Sequence, residues 1–309
     1  MDTKQIEYIL KIAEENNITR AAEKLFITQP ALNQQLLKLE RELGTQLFYR
    51  SRTDWRPTEA GMVYLENAKK MLLIKQDTYR IINDMTAQKQ GSLSVGLTPG
   101  RGIAMFSAVY PRFHQEYPEI TVTPHELSVK KQQPLIARGE LDIGFQTLCG
   151  QSRTADEYIP IASEEIRLVI PAGHPLAVYA VPEHEPFALM DISRLRYEPF
   201  VLMYKESTIR PLIDHIFLQA GFEPQVLFET SSNAAILTMI RSNLCCGLIP
   251  DFYIRDSREG IACFSLPGSP SWDIAASYRK GSYLSRGARR FIEMAAEFFR
   301  RENSTESLF

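Results

Sequence analysis

The 309 residues are 44% hydrophobic, 10% aromatic and 23% charged, with a formal net charge of −2, and at ~100–200 residues per domain that length predicts two domains. This composition excludes a disordered or collagenous chain. No apolar run reaches the ~18 residues that a membrane helix needs, and four cysteines, two of them adjacent, are too few for a disulfide framework. Met1-Asp2-Thr3-Lys4-Gln5 carries no export signal, so a cytoplasmic protein is expected. The near-neutral total hides a gradient. Residues 1–90 hold 14 basic and 12 acidic side chains, whereas the remainder holds 21 and 25. Arg50, Arg52 and Arg56 crowd into seven residues.

The chain opens with helical spacing. Ile6, Ile9, Leu10 and Ala13 form one apolar stripe, and Asn16-Asn17 interrupts it. Thr19 is the expected N-cap of a short second helix carrying Ala21, Ala22 and Leu25. Thr28 and Pro30 then start a third helix, since proline in the first turn lacks only an N–H that has no partner there anyway. That helix is expected to bury Leu32, Leu36, Leu39 and Leu43 and to end at Gly44. Gln46 to Phe48 and Trp55 to Thr58 flank the arginines as two short strands of a basic hairpin. The order matches a helix-turn-helix with a wing.

From Thr58 to about Gln88 a single long helix is predicted. Leu65, Ala68, Leu72, Lys75, Tyr79 and Ile82 alternate steps of three and four, a coiled-coil seam broken once by lysine. Leu65, Leu72, Tyr79 and Ile82 are therefore candidates for pairing two copies of the chain. Packing of this helix on its own domain is the competing expectation.

Gln90-Gly91-Ser92 is the predicted junction. Beyond it, strands at Leu93–Leu97, Ile120–Thr123, Asp142–Phe145, Arg167–Ile170, Phe200–Met203, Gln225–Phe228 and Gly247–Ile249 alternate with helices at Gly102–Gln115, Val129–Arg138, Ile209–Gly221 and Asn233–Ser242. That alternation marks parallel α/β units. A last amphipathic helix spans about Ser285 to Arg300, followed by a frayed tail.

Two kinds of site follow. On the third helix, the amides of Gln29, Asn33 and Gln34 are suited to base edges in the major groove, and Lys38 and Arg41 to phosphate. The cationic wing of Arg50, Arg52 and Arg56 suits phosphates or a narrow minor groove. DNA responds to this local field rather than to the net charge of the whole chain. In the second half, an α/β cleft lies beyond the carboxyl ends of the strands, where helix N-termini favour anions. Thr98, Pro99 and Gly100, then Ser128, Ser207, Thr208, Ser231 and Ser232 occupy such strand-to-helix junctions, and Arg101 could bind a carboxylate there. No catalytic constellation and no cofactor or metal motif stands out, so a non-enzymatic protein without a cofactor is expected. His174 is expected to serve a turn. Cys245 and Cys246 are expected to be buried structural thiols rather than a redox pair.

Residues 8–61 resemble the DNA-binding half of LysR-type transcriptional regulators. The likeness rests on Ala13-Glu14, Thr19-Arg20-Ala21-Ala22-Glu23-Lys24-Leu25, Thr28-Gln29-Pro30-Ala31-Leu32, Leu39-Glu40, Glu42-Leu43-Gly44, Leu47-Phe48, Arg50 and Thr58-Glu59-Ala60-Gly61. It departs at Asn33 and Gln34, where the family commonly has Ser and a basic residue, and at Trp55. A weaker likeness continues through Gly91-Ser92-Leu93, Gly139-Glu140-Leu141-Asp142-Ile143, Gly173-His174-Pro175-Leu176-Ala177 and Leu248-Ile249-Pro250. It implies an all-α winged helix-turn-helix domain (1–57), a linker and dimerisation helix (58–90) and an effector domain (91–309) resembling type 2 periplasmic binding proteins. That domain would comprise one α/β subdomain at about 91–161 and 268–303 and a second at about 162–267, joined by two crossing strands. The implied partners are promoter DNA, a small carboxylate or other anionic metabolite, and further copies of the chain as homodimer or homotetramer, with no membrane. The likeness carries over most directly to Thr98, Ser128, Thr208 and Gln146. A solute-binding protein with helices for protein docking is the alternative function.

Overall fold

In the computed structural model, the described residues are 2–51, 55–86, 89–182, 185–255 and 257–303, and they form two compact units that divide between Thr86 and Ala87.

In the first unit, α1 (Thr3–Glu15), α2 (Ile18–Lys24) and α3 (Gln29–Leu43) enclose a core of Ile9, Ile12, Ala21, Ala22, Leu32, Leu36 and Leu39. Asn17, not Thr19, caps α2: its Oδ1 accepts from Thr19 N at 2.9 Å and Arg20 N at 3.0 Å. Asparagine outranks threonine as a cap, and here it precedes Ile18, whose side chain is buried as the first residue of the helix. Thr28 caps α3 through Ala31 N, and Gly44 closes it at φ +70°. Leu43 is 42% exposed rather than buried, because it lies in the last turn, past the core. The wing is β1 (Phe48–Arg50) paired antiparallel with β2 (Trp55–Pro57). Gly61 is required where it stands, since an added Cβ would lie 2.0 Å from the Leu47 carbonyl oxygen.

α4 (Glu59–Met85) is one unbroken helix capped by Thr58. Its first half packs at home: Ala60, Tyr64 and Leu65 lie against the unit's core, Ala68 is buried, and Lys75 reaches Glu7 of α1 at 3.8 Å. Leu65 therefore belongs to the unit's own core, as the competing expectation for this helix had it. Leu72 is half-buried, whereas Tyr79 and Ile82 are exposed together with Met71, Ile74, Ile81 and Met85.

The second unit is built on two sheets that share one strand, with a separate two-stranded parallel pair. β3 (Gln90–Leu97) lies parallel to β4 (Glu119–Glu126) and to β5 (Ile143–Leu148), with α5 (Arg101–Glu116) and α6 (Val129–Ala137) as connections. β7 (Pro199–Met203) and β8 (Gln225–Thr230) are also parallel, with α7 (Arg210–Gln219) between them and α8 (Asn233–Arg241) after them. The remaining strands depart from the all-parallel expectation. β6 (Glu157–Pro171) pairs antiparallel with β11 (Ser271–Tyr278) over 157–165, then with β9 (Gly247–Pro250) and β10 (Ile261–Phe264) over 166–171. One strand thus leaves the first sheet and enters the second. α9 (Arg286–Asn303) packs Phe291, Ile292 and Ala295 beneath the first sheet, beside Phe113 of α5. A separate core of Phe200, Ile213, Phe217, Ile236, Ile249 and Phe264 fills the second subdomain. The residues of the expected junction, Gln90-Gly91-Ser92, already belong to β3.

Candidate functional site

Two surfaces hold the predicted residues, one on each unit. On the first, burial of Leu32, Leu36 and Leu39 turns the opposite side of α3 outward. Thr28, Gln29, Pro30, Gln34 and Lys38 are exposed and Asn33 is half-exposed, so one helix face carries amides near its start and a cation further on. Thr28 serves as the cap at that end, its hydroxyl taking Ala31 N, and Pro30 has no N–H to offer. Phe26, 95% exposed at φ +54°, stands in the turn leading to this helix.

The wing arginines differ from one another. Arg50 forms an ion pair with Glu40, which is 6% exposed and also accepts Leu47 N at 2.8 Å. Its guanidinium carbon lies 5.6 Å from the Trp55 ring centroid. Trp55 itself is buried against Phe48 and donates its backbone N–H to Asn16 O at 3.0 Å. Arg50 is thus a brace between α3 and the wing, with a charge already matched inside the unit. Arg56 is exposed on β2. Arg52 lies outside the described residues.

On the second unit, a cavity of about 300 Å³ opens between the two subdomains. From the first subdomain its wall takes Thr98, Pro99 and Arg101 after β3, and Ser128 and Lys130 after β4. From the second it takes Ser207 and Thr208 after β7, with Ser231 and Asn233 after β8. Tyr204, Tyr253, Trp272 and Met203 give it an apolar lining. Seven of the ten predicted effector residues therefore come together. Gly100 lies beside the wall as the cap of α5, at φ +72°, where a Cβ would approach Tyr253 Oη to 3.1 Å. Gln146 lies within β5 opposite Ala275, 1% exposed and away from the cavity lining, with neither amide atom partnered among the described residues.

The polar groups of the wall fall into two sets. Ser232 accepts Ala235 N at 3.2 Å and is spent on capping α8. Ser128 caps α6 with its backbone alone, and its hydroxyl makes no cap bond. Arg101 is 3% exposed, with Nη2 2.5 Å from Glu164 Oε2 on β6, and its guanidinium carbon lies 4.9, 5.7 and 5.5 Å from the ring centroids of Phe252, Tyr253 and Trp272. Glu164 also accepts Trp272 Nε1 at 2.7 Å and Phe252 N at 2.6 Å. The bidentate role expected of Arg101 toward a ligand is therefore pre-empted in part: one edge of the guanidinium faces an internal carboxylate.

Among the residues missed in the sequence, Asn233 had a local cue, directly after Ser231-Ser232. Tyr253 and Trp272 had none, because a helical turn after β9 and an antiparallel crossing strand bring them to the wall. His174 caps a short helical turn, its Nδ1 accepting Leu176 N at 3.1 Å. Burial raises the thiols of Cys245 to about 11 and Cys246 to about 12, the reverse of what a thiolate redox site needs. No cluster of three His, Cys, Asp or Glu among the described residues could hold a metal ion. No described helix is long and apolar enough to cross a membrane.

Comparison with known proteins decides the family. Residues 3–62 match the model of the bacterial regulatory helix-turn-helix protein, lysR family, and residues 86–300 match the LysR substrate binding domain. The chain belongs to the LysR family of transcriptional regulators. Among its relatives, the HTH-type transcriptional regulator YwbI of Bacillus subtilis (strain 168) is 30% identical over 95% of each chain. The fold is similar to that of a full-length OxyR variant from Pseudomonas aeruginosa, with a TM-score of 0.68 at 24% identity over 97% of this chain and 98% of that one. It is also similar to full-length CbnR complexed with its target DNA, with a TM-score of 0.59 at 22% identity over 98% and 100% of the two chains. The N-terminal unit of this LysR-type regulator is thus its helix-turn-helix DNA-binding part, and the cavity lies within its substrate-binding domain. The solute-binding alternative falls away.

Proposed function

We propose that this LysR-type regulator reads promoter DNA through the exposed face of α3, with Gln29, Asn33 and Gln34 at base edges. Thr28, Pro30, Lys38 and the wing residues Arg52 and Arg56 follow the backbone, and Arg50 sets the pose of the wing. Residues 1–57 are the DNA reader, 58–90 the linker and dimerisation helix, and 91–309 the effector domain. In that domain a small anionic metabolite binds between a subdomain of about 91–161 with 268–303 and another of about 162–267. Two copies pair through the exposed apolar residues of α4, Tyr79 and Ile82 among them. The protein works in the cytoplasm and catalyses no reaction.

The observation that carries the effector reading is a cavity walled by helix starts from both subdomains, with seven predicted residues on it. A ligand there acts by differential affinity: it shifts the regulator only as far as it binds one subdomain pose better than the other. The test is gel-shift titration of the purified chain against the upstream region of its own gene and a promoter library at low salt. Binding to some of these sequences is the expected result, and failure to bind any would refute DNA recognition by this face. Small anions that raise the melting temperature of the full chain should also change its DNA affinity or footprint.

A further inference from the structure

The effector cavity carries unmatched hydrogen-bonding groups of opposite kind on its two walls. On the second subdomain, Asn233 is the first residue of α8, 6% exposed, and its Oδ1 has no partner among the described residues. A buried carbonyl oxygen without a donor costs about 1–3 kcal/mol, and most buried polar atoms in folded proteins are paired. An oxygen left this way on a cavity wall is therefore shaped for a donor that arrives with the ligand. Glu206, exposed at the same rim, adds negative charge on that side.

The first subdomain offers the complement. Ser128 stands at the start of α6 with its hydroxyl free of any cap bond, and the first-turn N–H groups of a helix have no partner within it. Lys130 is exposed one residue further on. Arg101 adds Nε and Nη1, which have no partner among the described residues, while its charge is matched by Glu164. This wall offers donors and the cation Lys130, and the opposite wall offers the unmatched acceptor of Asn233 with the carboxylate of Glu206 at its rim.

We infer that the effector is a small carboxylate that also carries a hydrogen-bond donor, an amino or hydroxyl group, with its carboxylate on the Ser128 wall and its donor on Asn233. A molecule with both ends touches both subdomains at once, so it stabilises the pose in which the walls approach. A plain carboxylate satisfies one wall and leaves Asn233 Oδ1 buried and unmatched. Asn233 is then the residue that selects among carboxylates. The inference rests on the cleft being the effector site, and it adds the second functional group.

Two series of four probes test it by calorimetric titration of the full-length protein: butanoate, 2-hydroxybutanoate, 2-aminobutanoate and 1-aminopropane, and the matching set of 3-phenylpropanoate, 3-phenyllactate, phenylalanine and phenethylamine. The aromatic set is included because Tyr204, Tyr253 and Trp272 line the cavity. In at least one series the amino or hydroxy acid should bind at least about tenfold more tightly than both single-ended members, the scale of one hydrogen bond to a buried partner. Asn233→Ala should erase that margin and leave the binding of the plain carboxylate as it was. Asn233→Asp, which keeps the acceptor and the helix start, should retain the margin for the amino acid. Equal binding of the plain carboxylate, or a margin that survives Asn233→Ala, overturns the inference. Loss of the amino-acid margin in Asn233→Asp, or silence from both series, overturns it as well. Ser231→Trp separates the two levels: a probe that still binds when the cavity is filled shows that the cleft is not the site, and the proposed location fails with the inference.

Discussion

Replacing Glu164 by alanine should destabilise the effector domain more than any single change on its surface. Glu164 and Arg101 are each 3% exposed, and the carboxylate holds the guanidinium, the Trp272 indole N–H and the Phe252 backbone N–H together. Removing it strands a buried cation, which costs about 3–5 kcal/mol, and leaves two buried donors unmatched. Water entering the space left behind offsets part of the latter, so the expected loss is about 4 kcal/mol, a large share of an ordinary domain stability of ~5–15 kcal/mol. For a unit of this size that corresponds to roughly 8–16 °C in Tm. Glu164→Gln, which keeps the shape and one acceptor oxygen, should cost about half as much. The double variant Arg101→Met/Glu164→Leu removes both charges and should recover most of the loss, since apolar replacement of a buried pair is often close to neutral. Urea unfolding followed by tryptophan fluorescence reads this directly, because the chain has two tryptophans, one in each unit. In a Trp55→Phe background Trp272, in contact with Glu164, is the sole reporter. A Glu164→Ala loss under about 1 kcal/mol, or a double variant as unstable as the sum of its single changes, would refute the view that this pair is a desolvated charge unit.

Four further outcomes follow from the same geometry. Arg50→Ala should weaken DNA binding evenly across sequences and lower the stability of the first unit by about 2–4 kcal/mol through the stranded Glu40, seen in gel shifts and thermal melts; Glu40→Gln should largely restore an Arg50→Met variant, and a failure to do so would argue against the brace. Lys38→Ala should reduce the slope of log affinity against log salt by about one unit without changing sequence preference, whereas Gln29→Ala should change preference at one base position; identical profiles would collapse that division of roles. Tyr79→Glu/Ile82→Glu should yield monomers of native melting temperature by light scattering, while Leu65→Glu should unfold the first unit, and a stable dimer in the former would discard pairing through this half of α4. Burial raises the thiols of Cys246 and Cys263 to about 12 from an ordinary value of 9.0. Their neutral forms therefore persist in the folded chain while the unfolded chain ionises. The unfolded state binds fewer protons above pH 9, so stability falls there as pH rises, by up to ~1.4 kcal/mol per unit and thiol; below that range both cysteines should resist alkylation until the protein unfolds.

Much of the architecture was legible because it is written in local spacing. The helices of the first unit follow from apolar residues three and four apart, and the starts of α5, α6 and α8 from small polar residues after β-branched runs. What escaped depends on partners distant in sequence. Glu157–Glu165 and Ser271–Tyr278 mix charged, proline and small residues and carry no strand spacing of their own, so only the family resemblance implied crossing strands; they pair with one another across more than a hundred residues and form the crossing between subdomains. Trp272 reaches the cavity through that crossing, and Tyr253 through the helical turn after β9. The seam on α4 was real as a pattern but was divided in use: Leu65 and Ala68 face the core of their own unit, and Tyr79 and Ile82 face outward. A heptad pattern states which side of a helix is apolar, and burial alone states which neighbour covers it.

The arginines make the sharpest case. Counted along the chain, Arg50 and Arg101 look alike as free cations beside a polar ligand, one for phosphate and the other for carboxylate. Each is instead held by a buried glutamate, Glu40 ten residues before Arg50 and Glu164 far along the chain from Arg101, and each guanidinium lies against a tryptophan ring. A carboxylate at 6% or 3% exposure is costly to bury without a cation and hydrogen-bond donors beside it, so the carboxylate dictates where the arginine goes. The attraction that each arginine can offer a ligand is thereby reduced to its unshared N–H groups. Positive potential for DNA then rests on residues such as Lys38, and for the effector on Lys130 and the start of α6. Discrimination in the cleft passes from charge to hydrogen-bond matching, which is why a neutral side chain, Asn233, is the one whose replacement should change what the regulator senses.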